Sequence, residues 1–160
     1  MRFAGNVIWF VFGGGIIALG WLVGAFFAAI SIVGLPLARA AFEMAKLSAF
    51  PFGKDVIHVR ELDAKGTTAV TALTGTFGFI INVLWACTFG VGLFLGYILA
   101  GVINCLFVIT IPFGLQSFKL AGLSFWPMGR RVVTVELANE VRQRNTSAKL
   151  DKIRGTSAPA

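Results

Sequence analysis

Asn6-Val7-Ile8-Trp9 returns 76 residues later as Asn82-Val83-Leu84-Trp85, and Ala49-Phe50-Pro51-Phe52-Gly53 returns at the same offset as Phe125-Trp126-Pro127-Met128-Gly129. Laid over each other without a gap, residues 6–59 and 82–135 agree at 15 of 54 positions. Pro36/Pro112, Phe42/Phe118, Ala45/Ala121 and Leu47-Ser48/Leu123-Ser124 are among the shared ones. Duplicated sequence implies two copies of one structural unit, with any central site expected on the axis that relates them.

Composition sets the class. Of the 160 residues, 57% are hydrophobic and only 13% charged, about half the charge of a soluble domain, and the mean hydropathy is +0.84. No Asp, Glu, Lys, Arg or His occurs from Phe3 to Ala38 or from Gly66 to Phe118. Each stretch far exceeds the ~20 apolar residues that span a bilayer core, so the chain reads as a multi-pass, mainly α-helical membrane protein. Met1-Arg2 followed by apolar residues resembles a secretory leader, but the apolar run is more than twice the ~7–15 residues of such a segment. It is also half of the duplication, so it is expected to stay.

The second run divides into helices at about 69–89 and 92–111, with Gly90-Val91-Gly92 as the turn; each is long enough to cross. Moving that division back by 76 puts the first turn at Gly13-Gly14-Gly15 within a membrane region of about 2–35. The opening helix is then short: either it is re-entrant, or the glycines are absorbed into one long tilted helix. Each copy continues with an amphipathic helix, 37–49 or 113–125, expected at the cytoplasmic interface because Arg39, Glu43 and Lys46 share one face. A Pro-x-Gly turn leads into a short β-branched run, 56–59 or 132–135, and the two runs are expected to pair as a small sheet. The organisation expected is therefore a first repeat over 1–65, a second over 66–135 and a basic tail over 136–160, helical to about Arg144 and disordered beyond. Basic residues after Pro36 and after Pro112 place both polar segments and the C-terminus in the cytoplasm, and so relate the copies by an axis along the membrane normal.

Ile111-Pro112-Phe113-Gly114, Phe118-Lys119-Leu120-Ala121 and Trp126-Pro127-Met128-Gly129-Arg130-Arg131 resemble the signature of the YccF family of bacterial inner-membrane proteins, and Pro51-Phe52-Gly53 with Ile57-His58-Val59 matches its first copy. The resemblance covers about residues 1–137 and implies a duplicated inner-membrane protein; it supplies no catalytic residues. Met128 stands where a branched or aromatic residue is expected.

Motifs that carry catalytic chemistry are mostly absent from the sequence. There is no phosphate-cradling Gly-x-x-x-x-Gly-Lys, no His-Glu-x-x-His and no Cys-x-x-Cys. Cys87 and Cys105 read as small packing residues, no cofactor or metal is expected, and no enzyme is suggested, since no nucleophile–base pair is visible. The intramembrane polar residues are Asn6, Asn82, Thr88, Asn104 and Thr110, along with Ser31; they serve as interhelical glue or line a polar path. His58, the lone histidine, reads as structural, with pH sensing as its functional alternative. Glu43 aligns with Lys119, which suggests an ion pair across the pseudo-axis, and Trp126 with Arg130 and Arg131 reads as a lipid-headgroup anchor.

The net charge of +7 fits an anionic cytoplasmic leaflet and anionic lipids as partners; basic residues without stacking aromatics give no support to nucleic-acid binding. Two functions stay in view. One is a homo-oligomeric channel or passive transporter, the first expectation, since a chain this short needs several copies to enclose a pore. The other is a membrane scaffold that binds anionic lipids.

Overall fold

The computed structural model describes residues 2–31, 34–62 and 75–155. The order is α1 (Arg2–Trp9), a π-turn (Phe10–Gly14), α2 (Gly15–Ile30), α3 (Leu35–Ala49), β1 (Lys54–His58), α4 (Val59–Leu62), α5 (Thr76–Trp85), a second π-turn (Ala86–Gly90), α6 (Val91–Cys105), a 3₁₀ turn (Val108–Thr110), α7 (Ile111–Ala121), a second 3₁₀ turn (Gly122–Phe125), β2 (Arg130–Thr134) and α8 (Val135–Arg154). The π-turns and strands recur at the 76-residue spacing. Three stretches are long and apolar enough to cross a membrane by length and composition: Arg2–Ile30, Thr76–Cys105 and Val108–Phe125.

The expected turn at Gly90-Val91-Gly92 does not form. Gly90 and Val91 keep helical dihedrals, and one helix runs on from α5 through the π-turn into α6. The glycine is used for close approach instead: a Cβ at Gly90 would sit 3.1 Å from the Ser124 carbonyl. In the first copy the glycines are likewise absorbed into a long helix, but it kinks at Phe12 and Gly13, where Gly13 adopts φ 135°, a region that disfavours side chains. The Phe12 carbonyl released there accepts from Asn104 Nδ2 at 3.2 Å. The second copy has Phe89 in place of Gly13 and faces Ala28 in place of Asn104. It lacks both the permissive residue and the donor, and its helix does not break.

Each long helix folds back against a shorter one. α3 packs along α2, and α7 along α6, as antiparallel hairpins. Gly114 sits so near Cys105 and the Gly101 carbonyl that no side chain fits there. The apolar face of α3 lies against the bundle: Ala41, Met44, Ala45 and Leu47 are all buried.

The two hairpins meet as near-equivalent halves. β1 and β2 pair antiparallel about Val56↔Val132, so the expected sheet forms, each strand starting two residues and ending one residue earlier than expected. Trp21 Nε1 donates to the Tyr97 hydroxyl at 3.1 Å. Both contacts join residues 76 apart, and a two-fold axis passes midway between equivalent residues that touch. Reciprocal contacts agree: a Cβ at Gly13 would meet Ala100 and one at Gly24 would meet Phe89, while Val59 N–H donates to Gly129 and Val135 N–H to Gly53. Along the long helices, Phe12 meets Asn104, Gly20 meets Leu93 and Gly24 meets Phe89. Rising numbers meet falling ones, so α2 and α6 run antiparallel across the axis.

The tail differs from expectation. α8 continues to Arg154, N-capped by the Thr134 hydroxyl and closed by Gly155 at φ 71°. Its Arg, Gln, Lys, Leu and Ala content favours helix, and Glu140 and Arg144 form an i,i+4 ion pair. Residues 156–160 lie outside the described residues, as do Lys65 and the expected helix start at 69–74.

Candidate functional site

The side chains of Asn6, Asn82, Thr88, Asn104 and Thr110 are all hydrogen-bonded to backbone groups. Asn82 is 2% exposed; its Nδ2 donates to the Met128 carbonyl at 3.3 Å and its Oδ1 accepts from Met128 N–H at 3.0 Å. Asn6 repeats the clamp on Phe52, at 3.2 and 2.9 Å. Trp9 Nε1 donates to the Ser48 carbonyl and Trp85 Nε1 to that of Ser124. Each Asn-Val-x-Trp motif thus fastens its long helix to the end of the returning helix, satisfying backbone groups that a Pro-x-Gly turn leaves unpaired. Asn104 holds the Ala100 and Phe12 carbonyls. Thr110 donates to Asn104 C=O and Thr88 to Leu84 C=O. These five candidates do not converge on a common path; they act as clamps and caps. Around the axis the space is filled by stacked Trp21 and Trp85, with centroids 5.3 Å apart, and by Tyr97, whose hydroxyl also bonds Ser48. The Ser48–Tyr97–Trp21 network escaped the sequence reading; its one signal is that Trp21 and Tyr97, both hydrogen-bonding aromatics, align.

Charge gathers on the sheet side. Glu43 does not pair with Lys119. It meets Arg131 at 3.0 Å, with Arg39 at 3.8 Å, while Lys119 meets Asp55 at 3.6 Å. Positions 43 and 119 are equivalent, as are 55 and 131, so the two pairs are one contact made twice with its polarity reversed. Each helix carries a charge opposite to that on the other copy's strand. The strands cross the axis, which brings Arg131 to Glu43 and holds the two helix charges apart. Arg142 of α8 adds a second cation to Asp55 at 2.8 Å. Burial alone would raise the Asp55 carboxyl, but Arg142, the Val56 N–H and Lys119 outweigh it and hold the group below its ordinary value.

Between the start of α3 and β2 lies a groove of about 340 Å³, lined by Leu35, Pro36, Arg39, Glu43, Val59, Met128, Arg130 and Arg131 among others. Three guanidiniums and one carboxylate give it an excess of two positive charges. Arg130 is oriented by its own turn, Nε donating to Trp126 C=O at 2.9 Å. Burial lowers this guanidinium, with Glu61 opposing, from so high a start that it stays charged. Trp126 packs on Phe79 and supplies its carbonyl rather than a wall of the groove. Arg39, read in the sequence only as one charge on an amphipathic face, belongs to this site because the strand crosses over. Guanidinium forks beside the apolar Leu35 and Pro36 suit a phosphate attached to an acyl chain.

His58 lies at the end of β1, opposite Arg130 in register. Its Nδ1 accepts from Arg60 N–H at 3.2 Å, which requires the neutral ring. Burial, then Arg60 and Arg130, lower its pKa, against Glu61. Cys87 and Cys105 are free thiols, and no cluster of three metal-ligating side chains occurs among the described residues.

Among known proteins, the family model described as the inner membrane component domain, YccF, matches residues 4–54 and again 80–130. The inner membrane protein YccF of Escherichia coli (strain K12) is 39% identical over 151 residues, covering 94% of this chain and all of that protein. The protein of the same name from Shigella flexneri matches to the same extent. No solved structure matches significantly.

Proposed function

This chain belongs to the YccF family of inner-membrane proteins, and we propose that it is a membrane scaffold that holds anionic lipid headgroups at its cytoplasmic face. Each copy of the repeated unit contributes a membrane-embedded helical hairpin and one strand, and the polar segments and the C-terminus face the cytoplasm. The observation that carries the reading is the Arg39–Arg130–Arg131 groove, three cations at the edge of an apolar body where lipid phosphates lie. The clamping of Asn6, Asn82 and Asn104 supports the same reading. A pore within one chain would need those amides pointed at a common channel, and they are spent on carbonyls and N–H groups.

Titrating a short-chain anionic phospholipid against the zwitterionic equivalent tests this in mild detergent. Ligand that binds only the folded state adds about 2.7 kcal/mol at a hundred times its Kd. The anionic lipid is expected to raise the unfolding midpoint of the wild type and not that of an Arg130→Gln/Arg131→Gln variant. Equal stabilisation by both lipids would overturn the proposal, and so would unitary currents from the purified protein in planar bilayers.

A further inference from the structure

We infer that neither long helix crosses the bilayer: both hairpins enter from the cytoplasmic face, lie close to the membrane plane in one leaflet, and return to the same face. The two-fold axis fixes the orientation. It passes between Val56 and Val132 in the polar sheet and between Trp21 and Tyr97 in the apolar core. It therefore runs from the charged side of the molecule to the uncharged side, which is the direction of the membrane normal. Were it in the membrane plane, Lys54, Asp55 and Arg131 would lie at bilayer depth, where charge is costliest.

Helices related by an axis along the normal run parallel to each other when they stand upright. α2 and α6 run antiparallel, in contact from Phe12–Asn104 through Gly20–Leu93 to Gly24–Phe89. Antiparallel contact over that length is compatible with such an axis only if both helices lie nearly flat.

Two independent features agree. The start of α3 lies in the same groove as Val59 and Arg130, so the hairpin's turn end returns to the level of the sheet. By the same two-fold the other hairpin's turn lies at that level too, and it exposes Leu106, Phe107, Val108 and Ile109, the last 88% exposed, an apolar edge suited to the acyl boundary just beneath the headgroups. The dimensions fit as well. α3 packs on both β2 and α2, whereas α2 and β2 share no comparable contact, so α2 lies on the side of α3 away from the sheet. One interhelical spacing of ~9 Å plus a helix radius of ~5 Å reaches about 15 Å, half of a ~30 Å hydrocarbon core.

The test is a depth profile. Ile16, Leu19, Val23, Phe26 and Ile30 form one exposed stripe on α2, so each tolerates a single cysteine bearing a spin label in a Cys87→Ala/Cys105→Ala background. Depth is read from relaxation by oxygen against a water-soluble nickel chelate, on the full chain in vesicles. The inference expects near-constant depth from Ile16 to Ile30, varying by no more than the helix radius. A steady change approaching the ~21 Å that an upright helix climbs over 14 residues overturns it. A parallel arm places a cysteine at Ser31 in spheroplasts. Protection from a membrane-impermeant maleimide added outside is expected, and labelling from the periplasm overturns the inference. Either result leaves lipid binding at the groove to be judged separately.

Discussion

Replacing Asn82 by leucine separates a clamp from a pore lining. The side chain is almost fully buried and makes two hydrogen bonds to one residue, at 3.3 and 3.0 Å. Leucine keeps the volume, so little cavity is created, but the Met128 N–H and C=O lose the Asn82 amide, their only side-chain partner among the described residues. An orphaned buried polar group costs about 1–3 kcal/mol. Membrane proteins recover part of such losses through alternative partners, which places the pair of bonds at about 2–4 kcal/mol. Asn6→Leu breaks the same geometry on Phe52, yet that clamp is only half-buried. Water replaces part of it, and about 1 kcal/mol is expected. The assay is unfolding in rising sodium dodecyl sulfate followed by tryptophan fluorescence, since Trp9, Trp21 and Trp85 are all buried in the structure that melts. A loss under about 0.5 kcal/mol for Asn82→Leu, or equal losses at the two positions, would refute the reasoning. A pore-lining role predicts the opposite pattern, with changed conductance at unchanged stability.

Further outcomes follow from the same geometry. Arg131→Glu sets like charges against Glu43, and the double reversal with Glu43→Arg should restore stability; a double-mutant cycle should read up to about 1 kcal/mol for this partly exposed pair, and no coupling would discard the crossed-pair account. Gly114→Ala drives a methyl into Cys105 and the Gly101 carbonyl and should cost about 1–3 kcal/mol. Gly96→Ala meets nothing within 4 Å and should leave detergent-unfolding midpoints unchanged; a loss there would point to a partner seated on Gly92 and Gly96. His58 has a lowered pKa, so as pH falls through the ordinary histidine value the unfolded chain takes up a proton that the folded chain refuses, and stability falls. His58→Gln should flatten that fall between about pH 7.5 and 5.5; an equal fall in the variant would assign it elsewhere.

The repeated Asn-Val-x-Trp and Pro-x-Gly motifs carried the two-copy organisation and the pairing of strands in plain sight. What each motif does was not legible, because the clamp joins side chain to backbone 46 residues away and backbone partners leave no mark in composition. The glycines misled for a related reason. Gly90 and Gly13 look alike in an apolar run, but one permits close approach of the Ser124 carbonyl and the other a positive φ, and neither makes a hairpin. Reversed charges at 43 and 119 suggested an ion pair between those two residues, but each meets the other copy's strand instead. Their partners, Arg131 and Asp55, became visible only once the strands were seen to cross the axis, and the basic groove followed from the same crossing.

The central claim, that the Arg39–Arg130–Arg131 groove holds an anionic headgroup, is met most directly by native mass spectrometry of protein released from bilayers of mixed anionic and zwitterionic lipid. The account predicts anionic phospholipid retained on the wild type and absent from Arg130→Gln/Arg131→Gln. Equal retention by both, or a preference for the zwitterionic lipid, would contradict it.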